Sequence, residues 1–270
     1  MTGTPAEIKA CCAASYGSDA VALLLGESYH PGGLSLTRRL AERLRLRSGH
    51  RVVDVAAGPG ATARLLAADY DVTVDGVDLG EEGIARARAA TEQAGLAAQV
   101  RFHLGDAERI PLPDGGFDAV VCECAFCTFP DKAMAAAEFA RVLRPGGRVG
   151  ITDVTIAGHG LPQELTTLTA WVACIADARP LDEYVALLEA AGLRAVHTEH
   201  HDEALIRMID EIEARLRLLR MTAPRRLADA GVDVDAVLRH TTLAREAVTD
   251  GVLGYALLIA EKQLVSAYTS

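Results

Sequence analysis

Three cysteines fall within six residues of the chain, in the stretch CECAFCTFPDK at 122–132. Thiolates are soft ligands for zinc and other soft atoms, and the C-x-x-C spacing of Cys124 and Cys127 also occurs in redox pairs. The alternative is that most of these cysteines are small buried hydrophobes, as free cysteine often is. A structural zinc site needs four ligands, and the sequence offers no second C-x-x-C and no nearby histidine pair. The role of these thiols therefore depends on the residues that the fold brings beside them.

A glycine turn in VVDVAAGPGATARLL, at 52–66, forms a second set of chemically informative residues. Gly58 and Gly60 allow the backbone to approach a ligand closely, and the N–H groups that open the next helix favour an anion. Asp54 lies directly before the turn. Asp78 follows twenty residues after Gly58, where a carboxylate can accept both ribose hydroxyls of an adenosine. The same pattern fits a nicotinamide-binding domain through a loose G-x-G-x-x-A motif.

Strands and helices alternate from residue 51 onward and must position these groups. The predicted strands are RVVDV, VTVDGVDL, QVRFHLGD, FDAVVCE, RVGITDV, LRAVHTEHH and GVLGYALLIAEK. Alternation with helical segments and short breakers indicates βαβ units. We therefore predict an α/β fold with a doubly wound, mostly parallel, seven-stranded Rossmann-like sheet, whose strand ends form the ligand-binding edge.

Helical segments flank this alternating core. We predict an N-terminal helical lid at 1–46, a core at 47–200 together with 251–263, and a helical insertion at 201–250 before the last strand. The insertion could cap the site or form a dimer surface, although its charged face is typical of a solvated helix.

The composition excludes several classes of function. The net charge is −10, from 37 acidic and 27 basic residues, and an acidic surface repels the phosphate backbone of nucleic acids. The start of the chain lacks the pattern of a signal peptide, and no apolar run approaches the length of a membrane span. We therefore expect a cytoplasmic protein, monomeric or homodimeric, that acts on a small molecule.

Three features favour one family over the nicotinamide-binding domains. Asp54 would repel a pyrophosphate but could hold a cationic amino group. GDAERIPLPDGGFDAVV offers Asp106 to an adenine amine and the Ala107 N–H to a ring nitrogen, and LRPGG leads into the fifth strand. Taken in order over 47–155, these motifs resemble the class I S-adenosylmethionine-dependent methyltransferases. Ala56 replaces the first glycine of the usual D-x-G-x-G-x-G pattern, a small change that is compatible with cofactor binding.

The resemblance implies S-adenosylmethionine as the cofactor and assigns each part of it to a motif. The methionine end would be framed by Asp54, Ala56, Gly58 and Gly60. The ribose would be bound by Asp78 and Leu79, and the adenine by Asp106 and Ala107. The region of the transferable methyl would be bordered by Glu123 and Cys124. A family tyrosine close to the cofactor is matched by Tyr16.

Two longer stretches, ECAFCTFPDKAMAAAEFARVLRPGGRVGITDV and ACIADARPLDEYVALLEAAGL, resemble the arsenite methyltransferases. In that family a cysteine after the fourth strand and another downstream bind trivalent arsenic, which implies Cys124 and Cys174 here. The family also uses cysteines ahead of the glycine turn, which implies Cys12 or Cys11 as the third ligand. A thiolate-bound metalloid attacks the methyl group through its own lone pair and needs no base.

Two other functions remain open from the sequence. The first is methylation of a small organic metabolite, in which the cysteines only pack and an oxygen acceptor needs a base. The second is a cofactor-binding protein without catalysis. In both, Cys122 is a core residue, and His30 either covers the cofactor or ends a helix before Pro31.

Overall fold

The computed structural model describes residues 4–16, 18–26, 29–158, 175 and 177–264. Seven strands in this part of the chain form one sheet, at Arg51–Val55 (β1), Thr73–Asp78 (β2), Val100–Leu104 (β3), Phe117–Glu123 (β4), Leu143–Ile156 (β5), Leu193–His200 (β6) and Leu253–Lys262 (β7). The helices of the same part lie at Pro5–Tyr16 (α1), Asp19–Leu25 (α2), Gly33–Leu44 (α3), Ala61–Tyr70 (α4), Glu81–Gln93 (α5), Lys132–Val142 (α6), Leu181–Ala190 (α7), Asp202–Thr222 (α8), Pro224–Asp229 (α9) and Val234–Thr249 (α10).

The strand order is β3-β2-β1-β4-β5-β7-β6, with β7 antiparallel to both of its neighbours and the other pairs parallel. The chain winds outward from β1 in both directions, so a crevice opens at the carboxyl ends of β1 and β4. The prediction of a doubly wound, mostly parallel seven-stranded sheet is confirmed.

Burial on both faces explains the apolar character of the central strands. Four of the five residues of β1 are buried because helices cover both sides of a parallel sheet. The helix α3 packs an apolar face against β5, with Leu36, Leu40 and Leu44 buried. Gly150 makes this close packing possible, since a Cβ there would lie 2.8 Å from the Leu40 Cδ1 atom.

A second apolar cluster joins the two ends of the chain outside the main core. Leu24 and Leu25 of α2 pack with Ile212 and Leu216 of α8 and with Leu227 of α9. The helical segment before β7 therefore contacts the N-terminal helices as well as the sheet. The division of the chain into lid, core and insertion remains a prediction.

Two sequence predictions fall outside or across these boundaries. The fifth strand is predicted as RVGITDV, whereas β5 already begins at Leu143, which pairs with Phe117. The sequence also predicts a helix at 161–176, and of this range only residue 175 belongs to the described residues. Within the described residues no single helix is long and apolar enough to cross a membrane. Two helical segments joined by a bend, Pro5–Ala14 and Asp19–Leu25, reach the required length and apolar composition only when they are taken together.

Candidate active site

One pocket at the carboxyl ends of β1, β2 and β4 gathers most of the predicted site residues. Its lining includes Cys12, Tyr16, Asp54, Ala56, Gly58, Asp78, Leu79, Asp106, Ala107, Glu123 and Cys124. Gly60 is not part of the lining. Cys174 and the side chain of Cys11 lie outside the described part of the chain.

The two glycines of the turn serve different purposes. Both have left-handed backbones, with φ of 50° at Gly58 and 75° at Gly60. A Cβ at Gly58 would meet nothing within 4 Å, so this glycine faces open space in the pocket. A Cβ at Gly60 would lie 2.5 Å from the ring of Phe102, which packs beneath the turn. The glycine pattern predicts ligand approach at both positions, whereas Gly60 is required by packing.

Asp78 joins the glycine turn to the end of β2. One of its carboxyl oxygens accepts a bond from the Gly58 N–H at 2.8 Å, and the other accepts from the Gly80 N–H at 2.7 Å. Burial raises the pKa of this carboxyl group, and the backbone N–H groups oppose the rise. Because carboxyl oxygens can accept more than one bond, Asp78 can hold the turn and still accept from ribose hydroxyls.

Two buried carboxyl groups form the floor of the pocket. Asp54 is 2% exposed, and its Oδ2 atom has no hydrogen-bond partner among the described residues. Burial and the charges of Glu123 and Asp78 raise its pKa well above the ordinary value. A buried carboxyl oxygen without a partner favours a cation beside it. The ammonium and sulfonium of S-adenosylmethionine meet that requirement, so the residues present fit the cofactor that the resemblance implies.

Glu123 lies in a network that the motifs do not identify. The Thr62 hydroxyl donates to its carboxylate at 2.6 Å, and the Thr37 hydroxyl approaches it at 3.0 Å. Its side chain is 4% exposed, and the Nε2 atom of His30 lies 3.5 Å away. Thr152 extends the network inward, since its Oγ1 atom lies 3.5 Å from Glu123 and accepts from the buried Tyr255 hydroxyl. The only sequence signal for these partners is their position near predicted strand or helix ends.

Lys9 is a further lining residue that sequence reasoning missed. Its ammonium donates to the Asp106 Oδ2 atom at 2.7 Å and to the carboxylate of Glu108. Burial opposes the charged form of Lys9, but the bonds to both carboxylates outweigh this effect and raise its pKa. The other oxygen of Asp106 accepts from the Glu108 N–H at 2.9 Å. Helical spacing of Lys9 with Cys12 and Tyr16 is the signal that could have found it.

The cysteines separate into two groups. Cys12 and Cys124 line the pocket, whereas Cys122 and Cys127 are completely buried in the core. The sequence places Cys122 and Cys124 on one face only if β4 continues, but the strand ends at Glu123 and Cys124 has a φ of 53°. This left-handed residue turns the Cys124 side chain out of the strand's alternation. Among the described residues, no three His, Cys, Asp or Glu side chains are arranged to hold a metal ion.

Comparisons with known proteins agree with this geometry. Residues 53–151 match a family described as a methyltransferase domain. The chain is 31% identical over 229 residues to the 27-O-demethylrifamycin SV methyltransferase of Amycolatopsis mediterranei, covering 84% of this chain and 82% of that protein. It is 37% identical over 164 residues to the methyltransferase GfsG of Streptomyces halstedii, covering 60% of this chain and 59% of that protein.

Two further similarities are shorter or structural. An arsenite methyltransferase of Halobacterium salinarum is 32% identical over 158 residues, covering 58% of this chain and 40% of that protein. The crystal structure of the [4+2]-cyclase SpnF superimposes with a TM-score of 0.68 at 26% identity, covering 85% of this chain and 80% of that one.

Proposed function

This chain belongs to the S-adenosylmethionine-dependent methyltransferases, and we propose that it methylates a hydroxyl oxygen of a small organic molecule. The cofactor supplies a methyl group bonded to a positively charged sulfur, which a nucleophile displaces in line. A hydroxyl becomes a competent nucleophile when a nearby base removes its proton. The observation that carries the proposal is the pairing of His30 with Glu123 in the lining of the cofactor pocket.

The contacts of His30 support a role as the proton acceptor. In the tautomer that carries its proton on Nδ1, this atom donates to the Pro31 carbonyl oxygen at 3.3 Å. The lone pair is then on Nε2, whose contacts with Thr37 at 3.4 Å and Glu123 at 3.5 Å are both long. A proton taken from the acceptor hydroxyl on Nε2 creates an imidazolium next to the Glu123 carboxylate, which stabilises the charge.

The threonines around Glu123 keep this carboxylate in place. Because Thr37 and Thr62 donate to it, the buried carboxyl group of Glu123 is held by neutral donors. The same carboxylate lies on the pocket floor beside Asp54, where the positive charges of the cofactor would bind. Glu123 would thus stabilise the imidazolium of His30 and also lie next to the positive charges of the cofactor.

A relative that matches 84% of this chain also supports an oxygen acceptor, since it is a 27-O-demethylrifamycin SV methyltransferase. The lining that contains His30 also includes the aromatic residues Tyr16, Tyr29 and Phe129. Aromatic side chains provide apolar contact area for an organic molecule. We therefore place the acceptor near Tyr29 and His30.

Arsenite is the second candidate acceptor, because Cys12 and Cys124 line the same pocket. Cys174, which the resemblance implies as another ligand, lies outside the described residues. If thiolates bind the metalloid, loss of either Cys12 or Cys124 should abolish its methylation. If the acceptor is a hydroxyl, we expect substitution of Cys12 or Cys124 to have little effect on removal of its proton.

One experiment separates the two acceptors. The release of S-adenosylhomocysteine is measured with arsenite plus glutathione, and in parallel with a library of hydroxylated polyketides that includes 27-O-demethylrifamycin SV. For a hydroxylated acceptor found in this way, His30→Asn should lower kcat roughly 100-fold or more, as expected for loss of a general base. The affinity of the His30→Asn variant for S-adenosylmethionine, measured by calorimetry, should stay close to that of the unaltered protein.

His103→Asn is the matched control, because His103 pairs with the Asp75 carboxylate at 2.8 Å and is not part of the pocket lining. It should leave kcat unchanged. Turnover that requires arsenite and disappears in both Cys12→Ser and Cys124→Ser would replace the hydroxyl proposal with the metalloid one. Full activity of His30→Asn would remove His30 from its proposed role.

A further inference from the structure

One face of α1 lies over the cofactor pocket. Lys9, Cys12, Ala13 and Tyr16 all line it, and their spacing of three, one and three residues places them on one side of a helix. The helix also approaches the end of β2, since a Cβ at Gly80 would lie 3.8 Å from the Ala13 carbonyl oxygen. This position covers the part of the pocket near Asp78 and Asp106.

Apolar packing holds α1 only weakly. None of its described side chains is fully buried, whereas α3 has five buried residues. Elements with little buried apolar surface open at low free-energy cost. The attachment of α1 to the rest of the protein therefore depends strongly on its polar contacts.

Lys9 joins α1 to the rest of the protein through polar contacts with Asp106 and Glu108. The side chain of Lys9 is only 18% exposed, and that of Glu108 only 13%. Both carboxylates are themselves fixed, because the Glu108 N–H donates to Asp106 and the Asp131 N–H donates to Glu108. Bonds between charged groups in such a partly buried position are stronger than neutral ones.

We propose that Lys9 is a positioning residue that holds α1 closed over S-adenosylmethionine, and that its release from Asp106 and Glu108 limits the exchange of cofactor and product. The closed helix covers the site that binds the adenosine portion. Entry and exit require α1 to move, and this movement breaks both bonds of the Lys9 ammonium. The inference concerns the cofactor alone and does not depend on the acceptor.

A competing account is that Lys9 occupies Asp106 in place of the adenine amine. The two accounts predict opposite results. If Lys9 competes with the adenine, its removal should strengthen cofactor binding. If Lys9 holds α1 closed over the pocket, its removal should speed up dissociation of the cofactor and weaken its binding.

Surface plasmon resonance on the immobilised full chain measures association and dissociation rates for S-adenosylmethionine and S-adenosylhomocysteine. Lys9→Met and Glu108→Gln should each raise both dissociation rates roughly tenfold, the equivalent of about 1.4 kcal/mol. The double variant should release the cofactor and product no faster than Lys9→Met alone, because both substitutions break the same contact, that between Lys9 and Glu108. Lys9→Arg should restore most of the slow dissociation.

Hydrogen exchange supplies a readout that is independent of ligand rates. In the S-adenosylhomocysteine complex, Lys9→Met should accelerate exchange in α1 and leave β4 unchanged. Arg38→Met, which removes an exposed ion pair with Asp69, is the control and should change neither measurement. Unchanged or slower dissociation in Lys9→Met, or additive effects of Lys9→Met and Glu108→Gln, would overturn the proposal.

Discussion

The guanidinium of Arg215 in α8 donates a hydrogen bond to the Leu24 carbonyl oxygen at the end of α2, across 2.6 Å. Gly26 leaves room for it, since a Cβ there would lie 2.9 Å from the Arg215 Nη1 atom. A cation at a helix C-terminus is favourable because it satisfies a free carbonyl and the helix dipole. Tyr29, which precedes His30, packs against the same apolar cluster of α2 and α8 residues, so the helical segment before β7 supports this side of the pocket.

Arg215→Met should therefore disturb acceptor binding more than cofactor binding. Loss of the bond lets the wall of Tyr29 and His30 shift, and we expect the KM for a hydroxylated acceptor to rise roughly tenfold, the value of one hydrogen bond from a charged group. The affinity for S-adenosylmethionine should stay constant. Steady-state kinetics and calorimetry measure the two quantities.

Two companion variants of Arg215→Met decide whether the bond to Leu24 is responsible. Arg215→Lys keeps the positive charge and should recover part of the acceptor affinity. Arg217→Met removes an exposed ion pair with Glu213 on the same helix and should have no effect. Equal KM values for Arg215→Met and the unaltered protein would contradict the assignment.

Asp54→Asn should stabilise the protein without cofactor and weaken its binding of S-adenosylmethionine. Burial and neighbouring carboxylates raise the pKa of Asp54, so its ionised form destabilises the fold as the pH rises above the ordinary value of 3.8. The neutral amide avoids this cost, and we expect a gain of about 1 kcal/mol at neutral pH. The loss of negative charge next to the cofactor's cations should raise the Kd at least roughly tenfold.

Urea unfolding and calorimetry on the same Asp54→Asn sample test both effects. The stability gain should shrink towards acidic pH, where the carboxyl group of Asp54 is neutral in the folded and unfolded chains alike. A variant that is less stable and binds the cofactor normally would show that Asp54 serves only the fold.

Substitution of the two glycines of the turn should separate binding from folding. Gly58→Ala adds a methyl group in open space at the pocket, with a conformational cost of about 1 kcal/mol and a weaker affinity for the cofactor. Gly60→Ala pushes against Phe102 and should lower the free energy of unfolding by roughly 2–4 kcal/mol. Denaturation and calorimetry of both variants measure the contrast, and similar losses of stability would argue against it.

Glu199 should make the connection between α3 and β6 sensitive to acid. Burial opposes its charged form, but bonds from Arg39, His197, Arg43 and His201 outweigh burial and lower its pKa. A carboxyl group whose pKa is lowered in the folded state stabilises the protein at pH values above its ordinary pKa of 4.5. This contribution to stability is lost as the pH falls towards the pKa of the folded state. Glu199→Gln should therefore cost about 1–2 kcal/mol at pH near 7 and progressively less below about 4.5.

Urea unfolding between about pH 7 and 3 measures this dependence on Glu199. Asp69→Asn, which removes an exposed partner of Arg38, is the control and should show no comparable trend. A loss of stability in Glu199→Gln that stays constant over this range would rule out the ionised carboxylate as its cause.

The alternation of apolar strands and helices from residue 51 onward was enough to predict the sheet and the edge at which the ligand binds. Parallel strands present their carboxyl ends on one side, so Asp54, Asp78 and Glu123 must converge wherever that pattern occurs. The same logic explains why the glycine turn and Asp106 are assigned to the pocket by sequence alone. These positions depend on local periodicity and on the geometry of βαβ units.

Contacts between distant segments could not be predicted in the same way. Lys9 meets Asp106 across 97 positions, and Thr37 meets Glu123 across 86, through helices whose placement no local pattern specifies. The left-handed backbone at Cys124 likewise depends on where β4 stops pairing. The sequence by itself determined the fold and the ligand-binding edge of the sheet, because these follow from periodicity, and the motifs over 47–155 indicated the cofactor through their resemblance to a family. Only the tertiary structure decided which side chains of distant segments line the pocket, because that depends on how separate helices pack over the sheet.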